Sequence, residues 1–522
     1  MLDKTFGGDG RIALPGSGSF VPRAVAVDRA DRIIVGGYRC EPATDDATCL
    51  DAGNSSFRVA RLTRDGGLDP EFGDNGINTT PMGTGRSQAL DVLMMDNGDI
   101  VAGGVASVDG RDVFALARFT SSGALVPDFG SGGRVLQPIG SAYAAISDLA
   151  EGPNGTILAA GQAVDAAGVP RAAVARFNVV GGLDATFGTG GYTLGGATSY
   201  NYALGLAVGP SGSITTAGIS GTPVSQTTYG FGELRLSQSG TPNASFGRDG
   251  NGSATQRLGT STSFATSIVP AAHDGFAAAG AALISDGRQA MAIMRGTSAG
   301  AFDPSFGSDG YVLIPQADGA AANDLIGYSD GRLLAIGQAA RKGYWSFAEA
   351  RVLASGRPDP SWGRNGVRRL HFPDYPAARA TAGALASGGR VVTVGIGCDM
   401  GGTGTQCDKG RAILLVARQL DHPARDTTSP HLTLRGLPKR IGARRLRRRG
   451  VVLRVRLSEP ARLEIVARRG KQRLARRVGK RLVAHDRMRI KMRTRAGRIR
   501  VVIRAVDRAG NATVRPFRLT VT

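Results

Sequence analysis

Leu183-Asp184-Ala185-Thr186-Phe187-Gly188-Thr189-Gly190-Gly191 is one copy of a motif that returns throughout this chain of 522 residues. The aromatic residue of the motif marks seven copies, and successive copies are 56 to 66 residues apart. A nearly constant period of this length predicts a repeat protein, in which each period forms one supersecondary unit. The seven aromatic residues are Phe6, Phe72, Phe129, Phe187, Phe246, Phe306 and Trp362.

Within each period the same strand and turn signals recur. An alternating apolar run such as residues 89–93 precedes a tight turn such as Asn97-Gly98, whose residues tolerate the positive φ angles of hairpin turns. A second apolar run ends in Gly, and a third ends in Arg, as in residues 114–118. A short fourth run follows the aromatic motif. Each period therefore predicts three clearly marked strands and one short strand.

Seven periods of four short strands predict an all-β fold, a seven-bladed β-propeller over residues 1–421. The chain begins with Leu2-Asp3, and its seventh repeat ends at Arg418 and Asp421, so the motif is split between the two ends of the array. This split predicts that the N-terminal segment pairs with the last blade and closes the ring. The rival is an open solenoid, but such arrays need polar capping repeats, and none is visible here.

The repeat resembles the delta-60 repeat family of bacterial β-propellers over residues 1 to about 421. The resemblance rests on Leu-Asp-x-Thr/Ser-Phe-Gly-x-x-Gly, the Asp/Asn-Gly hairpin and the Ala-Arg-Phe/Leu run. Trp362 replaces the usual Phe, and Asn243 replaces the usual Asp. The resemblance implies a fold and no reaction, because the family has no catalytic residues to carry over. The repeated Arg and Asp residues are expected to form ion pairs between strand and turn.

The net charge of +22 is concentrated at one end of the chain. Residues 427–522 hold 30 of the 64 Lys and Arg residues but 4 of the 42 Asp and Glu residues, a balance of +26; the rest of the chain has a balance of −4. Such a contrast in charge predicts two separate domains. We expect a propeller at 1–421, a polar, proline-bounded linker at 422–430, and a basic domain at 431–522.

The basic domain is expected to be a small antiparallel β-sandwich. Runs such as 451–457, 461–466 and 499–503 alternate apolar residues with Arg or Lys, which is typical of half-buried strands. The bend Ser458-Glu459-Pro460 and the segment 505–511 resemble bacterial immunoglobulin-like or fibronectin type III-like modules. A Cys-Trp-Cys set is absent, so an antibody-type domain is not expected.

The charge of this domain predicts a polyanion-binding surface. An anionic cell-envelope polymer or an acidic polysaccharide is the expected partner, and a protein partner is left open. A nucleic-acid partner is not expected, because aromatic residues that would stack bases are nearly absent. The alternative is that the arginines only keep the domain soluble. The candidate binding residues are Arg444, Arg445, Arg447, Arg448, Arg449, Arg468, Arg469 and Lys471.

Four cysteines form two pairs, Cys40/Cys49 and Cys398/Cys407, and each pair has eight residues between its members. The equal spacing predicts two local disulfides and an oxidising, extracellular or cell-surface location. A metal site is the rival interpretation, although neither pair has a nearby His or further Cys. No secretory signal is visible, and Met1 stands directly against the first repeat, which fits a start site assigned too late as well as a cytosolic protein.

Two linear motifs of enzyme sites are absent from the sequence, which has no Gly-x-x-x-x-Gly-Lys and no His-Glu-x-x-His. We therefore expect no catalytic residue, cofactor or metal site, no transmembrane segment, and a monomer. The predicted function is a non-enzymatic, secreted or cell-surface binding or scaffold protein, tethered by its basic module. The alternative is a propeller hydrolase or lyase acting on a carbohydrate or lactone, whose residues would come from several blade loops.

Overall fold

The computed structural model of the protein describes residues 2–14, 19–40, 55–195, 200–221, 229–398, 412–421, 432–435, 438–470, 472–478, 483–492, 494–507 and 512–522. The chain divides into two compact units, Met1–Asp421 and His422–Thr522. No helix in these ranges is long and apolar enough to cross a membrane.

The first unit is a seven-bladed β-propeller, as predicted, and each blade is a four-stranded antiparallel sheet. Blades one to six each take four consecutive strands. Blade one has β2 (Val21–Val27), β3 (Ile33–Cys40), β4 (Ser55–Leu62) and β5 (Ile77–Thr80); blade two has β6 (Ser87–Met94), β7 (Ile100–Val108), β8 (Arg111–Phe119) and β9 (Arg134–Gln137); blade three has β10 (Ala144–Glu151), β11 (Ile157–Val164), β12 (Pro170–Phe177) and β13 (Tyr192–Gly195); blade four has β14 (Tyr200–Val208), β15 (Ile214–Gly221), β16 (Gly230–Leu236) and β17 (Ser253–Gln256); blade five has β18 (Ser263–Pro270), β19 (Phe276–Leu283), β20 (Gln289–Gly296) and β21 (Tyr311–Pro315); blade six has β22 (Ala320–Gly327), β23 (Leu333–Arg341), β24 (Tyr344–Val352) and β25 (Val367–Leu370). Among the described residues, short 3-10 turns occur at Pro153–Gly155, Ala272–Asp274 and Ser387–Gly389.

Blade seven closes the ring by combining the two ends of the array. It contains β26 (Ala378–Ala386), β27 (Arg390–Cys398), β28 (Ala412–Leu420) and, as its outer strand, β1 (Arg11–Leu14). β1 pairs antiparallel with β28, from Arg11 opposite Ala417 to Leu14 opposite Leu414. The predicted split motif is therefore confirmed, because the N-terminal segment completes the last blade.

An arginine latch repeats in every blade. The Arg that ends each third strand lies over the motif aromatic, with its Cζ 4.3 to 5.9 Å from the ring centroid. Five of these arginines also bind the motif Asp, so the predicted ion pairs are present there. Where the motif lacks that Asp, Arg118 and Arg235 use Asp99 and Asp274 instead. The Arg–aromatic pairs are Arg61–Phe72, Arg118–Phe129, Arg176–Phe187, Arg235–Phe246, Arg295–Phe306, Arg351–Trp362 and Arg418–Phe6.

The latch also joins neighbouring blades. Arg118 Nη1 donates to the Val179 carbonyl of the next blade at 2.9 Å, and Arg176 Nη1 donates to Gln238 at 2.8 Å. The glycine after the aromatic is required by the same turn: Gly73 has φ +54°, and a Cβ there would lie 2.5 Å from the Ile77 carbonyl oxygen. The motif therefore fixes both the turn within a blade and the contact between blades.

The second unit is built on one long strand, β31 (Val451–Arg469), and the sequence runs 451–457 and 461–466 both belong to it. Its first half pairs with β29 (Leu432–Arg435) and β33 (Val483–Ile490), and its second half pairs with β32 (Gln472–Val478) and β34 (Gly497–Asp507). The sheet continues through β35 (Ala512–Val521) to β30 (Arg440–Ile441), and this last pair is parallel.

The core of this unit is apolar, with Leu446, Leu453, Leu463 and Ile503 fully buried. Leu446 belongs to a helix that the sequence did not predict, α1 (Ala443–Arg448). The expected all-β character is confirmed as a further, largely antiparallel sheet, whereas the resemblance to immunoglobulin-like modules stays a prediction.

Candidate functional site

The first strands of the blades surround the central channel. Each contacts the first strands of both neighbouring blades, and each carries a β-bulge at the same place. The residue after the bulge is polar in four blades, namely Asp91, Asp148, Ser267 and Asp324, and it is Ala or Gly in the other three. The channel is therefore acidic on some blades and apolar on others.

These channel side chains bind the next blade. Asp91 Oδ2 accepts from Leu149 N at 2.8 Å, Asp148 Oδ2 from Leu206 N at 2.6 Å, and Asp324 Oδ2 from Gly383 N at 2.8 Å. Ser267 Oγ accepts from Leu325 N at 3.2 Å. Each bond satisfies a backbone amide of the next blade's first strand, which is an edge strand of its sheet. Four of the seven blade junctions are thus joined by a hydrogen bond from a side chain beside the channel.

Burial raises the pKa of Asp91, Asp148 and Asp324. The shift is largest for the pKa of Asp148, because burial is joined there by the neighbouring Asp91 carboxylate. The two carboxyls interact, and the charge of Asp91 opposes ionisation of Asp148. All three side chains keep some surface toward the channel, but the surrounding blades exclude most of the water, so burial dominates their titration.

The bonding of these carboxyls determines what chemistry they can do. Both oxygens of Asp148 and both oxygens of Asp324 already accept hydrogen bonds from backbone amides. Every oxygen of these two carboxyls is therefore engaged by the backbone through at least one of its lone pairs. No group of three or more His, Cys, Asp or Glu side chains among the described residues is placed to hold a metal ion. The arrangement is suited to clasping blades.

Sequence analysis missed these channel residues. Each Asp stands in the polar phase of an alternating strand, where a solvated side chain is the ordinary expectation. These residues could have been found from their position, because Asp91, Asp148 and Asp324 occupy the same place in three repeats and each precedes Val or Leu.

Two buried glutamates occupy a position that is apolar in the other blades. Glu233 and Glu349 stand two residues before the latch arginines Arg235 and Arg351, where the other blades have Val59, Leu116, Val174, Ile293 and Val416. Glu349 Oε1 accepts from Thr393 Oγ1 at 2.8 Å and from Gln419 Nε2. Neither carboxyl oxygen of Glu233 meets a hydrogen-bond partner from another described residue. Burial raises the pKa of Glu233 well above its ordinary 4.5 and also raises the pKa of Glu349.

We expect Glu233→Leu to stabilise the propeller by about 1–3 kcal/mol at pH 7, because it removes a buried carboxyl that lacks a partner. The raised pKa means that stability falls as pH rises from 4.5 toward the folded-state pKa, so the advantage of the variant should grow over that range. Urea unfolding at several pH values measures both effects. Glu349→Leu is the matched control, and it should destabilise because Thr393 and Gln419 lose their acceptor. A loss of stability in Glu233→Leu would contradict this account.

The predicted polyanion-binding residues lie in two places in the second unit. Arg444, Arg445, Arg447 and Arg448 lie on α1 and Arg449 follows it, and all five are exposed. Arg468 is exposed near the end of β31, but Arg469 is turned inward and its Nη2 donates to the Arg495 carbonyl. Lys471 lies outside the described residues. Arg469 is therefore engaged within the unit.

The described cysteines lie where two strands end, Cys40 at the end of β3 and Cys398 at the end of β27. Both are buried in one cluster with Tyr38 and Ile396, and neither is a free thiol. Their predicted partners, Cys49 and Cys407, lie outside the described residues, so the two local pairings stay predictions.

Three of the solved structures that resemble this chain have low sequence identity to it. The chain resembles the extracellular domain of a hybrid two-component system from B. thetaiotaomicron with 8% identity and a TM-score of 0.36; the match covers 96% of this chain and 61% of that one. It resembles a PL25 ulvan lyase with 10% identity and a TM-score of 0.43, over 78% of this chain and 96% of that one. Chaetomium thermophilum Sqt1 has 11% identity and a TM-score of 0.39, over 77% and 96%. Scores this low carry no information about activity.

Comparison with sequences gives one family match and no individual relative. No curated protein matches the chain. Residues 46–72, 96–129 and 152–187 match the family described as "Domain of unknown function (DUF5122) beta-propeller". The matched segments fall in the first three repeats and agree with the propeller seen in the structure.

Proposed function

We propose that this protein is a secreted or cell-surface, non-enzymatic binding or scaffold protein. Its basic unit holds an anionic polymer of the cell envelope, and its propeller presents an interaction surface. The observation that carries this proposal is the charge of residues 427–522, where 4 acidic residues cannot neutralise 30 basic ones. A surface of this kind attracts polyanions and binds them in a salt-dependent way.

The exposed arginines support a binding role for the second unit. Arg444, Arg447 and Arg448 project from α1, while Glu464 is already held by Arg476 at 2.6 Å. Arginine pairs with carboxylate, sulfate or phosphate groups through two parallel hydrogen bonds. These exposed guanidinium groups are therefore available to bind an external anion.

The propeller favours scaffolding over the catalytic alternative. Its channel carboxyls are used between blades, and its latch arginines bind aspartates and backbone carbonyls. These contacts support a structural role for the groups, in holding the ring together.

Retention on an immobilised polyanion tests the proposal. The full chain and a chain ending at residue 421 are passed over polygalacturonate-agarose, with neutral agarose as the control matrix. We expect the full chain to be retained at low salt and released as salt screens the charges, and the shortened chain to flow through. Equal retention of the two chains would contradict the proposal.

A further inference from the structure

A row of four arginines crosses the sheet of the second unit. Arg500 lies directly opposite Arg468 on one side and Arg518 on the other. Arg473 lies opposite Arg468 on the next strand, beside a register irregularity. All four side chains are exposed. These residues, on β32, β31, β34 and β35, are called the arginine row below.

The arginine row is unfavourable without a bound anion. Like charges directly opposite each other destabilise a sheet. Neighbouring strands are about 4.8 Å apart, so the four cations span roughly 14 Å at regular intervals. Glu464, on the same face of β31, is held by Arg476 and does not neutralise the row. An external chain with regularly spaced anionic groups would relieve this repulsion.

An apolar row runs parallel to the arginine row. Val466, Val502 and Pro516 lie opposite one another in register, two residues along their strands from the arginines and therefore on the same face. Val514 extends this apolar surface and is 49% exposed. The face thus presents a line of cations beside a line of apolar side chains.

We propose that an acidic polysaccharide lies across the strands on this face. Carboxylate or sulfate groups on successive sugars bind the arginine row, and the C–H faces of the sugars contact the apolar row. Phe517 is the one aromatic residue in the four strands, and it packs against the core, so the face offers no platform for bases. Polyphosphate offers charge but nothing for the apolar row. This inference rests on the proposed function, and it places the polymer on the sheet instead of on α1.

Two triple variants of the full chain distinguish the arginine row from α1. The first is Arg468→Gln with Arg500→Gln and Arg518→Gln, and the second is Arg444→Gln with Arg447→Gln and Arg448→Gln. Both remove three exposed charges. Titration with sodium polygalacturonate should show binding about 100-fold weaker for the first variant and a salt dependence that is lower by about three released ions. Binding by the second variant should be weakened less than about tenfold.

The outcomes separate this inference from the proposed function. Equal weakening of both triple variants would overturn the arginine row but leave the basic unit as the binding part. Binding by the chain ending at residue 421 as tight as by the full chain would overturn the proposed function itself. Binding of polyphosphate as tight as that of polygalacturonate would overturn the assignment to a polysaccharide. The Arg500→Gln single variant, which changes the sheet least, should weaken binding about fivefold. A single cooperative thermal transition, at or above the midpoint of the natural chain, shows that each variant is folded.

Discussion

Replacing Arg351 with methionine is expected to lower the free energy of unfolding of the propeller by about 3–5 kcal/mol. Arg351 is 0% exposed, and its Nε donates to Asp359 Oδ2 at 2.8 Å while its Nη1 binds Asp421. Methionine would fill much of the space but would leave two buried carboxylates with only the longer contacts to Arg332, at 3.7 Å from Asp359 and 3.8 Å from Asp421. Removing one partner of a buried ion pair is costly because the remaining charge has lost its compensation.

Arg295→Met is the matched control for this prediction. Arg295 makes similar contacts in blade five: its Nε donates to Asp303 at 2.8 Å, and it lies over Phe306 with Cζ 5.0 Å from the ring centroid. Its Nη1 donates to the Ala354 carbonyl at 2.8 Å, where Arg351 binds the carboxylate of Asp421. Its side chain is 19% exposed and that of Asp303 is 28% exposed, so water can solvate the charge left behind. We expect a loss of about 1–2 kcal/mol.

Urea unfolding of both arginine variants measures the difference. The account predicts that the free energy of unfolding of the Arg351 variant falls by about 1 kcal/mol or more beyond the fall in the Arg295 variant, because the partners of Arg351 are more deeply buried. Equal losses would show that burial of the latch does not control its contribution to stability.

Replacing Asp3 with asparagine is expected to cost about 3 kcal/mol, since one carboxylate joins the first and last parts of the array. Asp3 Oδ2 accepts from Arg418 Nε at 2.9 Å and from Arg390 Nε at 3.0 Å. Burial works against ionisation of Asp3, but hydrogen bonds from Thr5 and the charge of Arg418 outweigh it, so the pKa lies below its ordinary 3.8.

The lowered pKa of Asp3 predicts a pH dependence as well. A depressed pKa stabilises the fold above the ordinary value of 3.8, and this stability is lost as pH falls through the folded-state pKa. The Asp3→Asn variant should lack that contribution, so its deficit relative to the natural chain should shrink below pH 3.8. Thermal unfolding between pH 3 and pH 7, roughly the range over which such carboxylates titrate, measures it.

Asp9→Asn is the control for the closure carboxylate. Asp9 lies in the same N-terminal segment and binds Arg11 at 2.6 Å, but its side chain is 54% exposed. Exposed ion pairs contribute about 0–1 kcal/mol. A loss from Asp9→Asn as large as that from Asp3→Asn would contradict the role given to burial at the closure.

The repeat motif could be interpreted from sequence because each of its residues has a local task. Phe72 fills a blade junction, Gly73 makes the turn, and Arg61 reaches the motif Asp69 eight residues away. The split motif at Leu2 and Asp3 indicated closure for the same reason. Local turn chemistry and a fixed period are properties that a linear sequence displays directly.

The features that sequence analysis missed depend on partners far apart in the chain. The β-bulge that brings Asp148 to the amide of Leu206 has no turn residue to mark it. The alignment of Arg468 with Arg500 and Arg518 follows from strand register, which an alternating pattern does not reveal. The helix α1 is hard to predict because its run of arginines indicates charge and only one apolar residue, Leu446, marks its buried face.

Cross-linking of β1 to β28 tests ring closure most directly. Ala13 lies opposite Leu415, so the full chain carrying Ala13→Cys and Leu415→Cys should form a disulfide, detected as a linked pair of peptides by mass spectrometry. The control pairs Ala13→Cys with Leu414→Cys, whose side chain points to the other face of the strand. The account predicts linkage of residues 13 and 415 in nearly all molecules and little in the control. Absence of the 13–415 link under oxidising conditions would contradict a ring closed by β1.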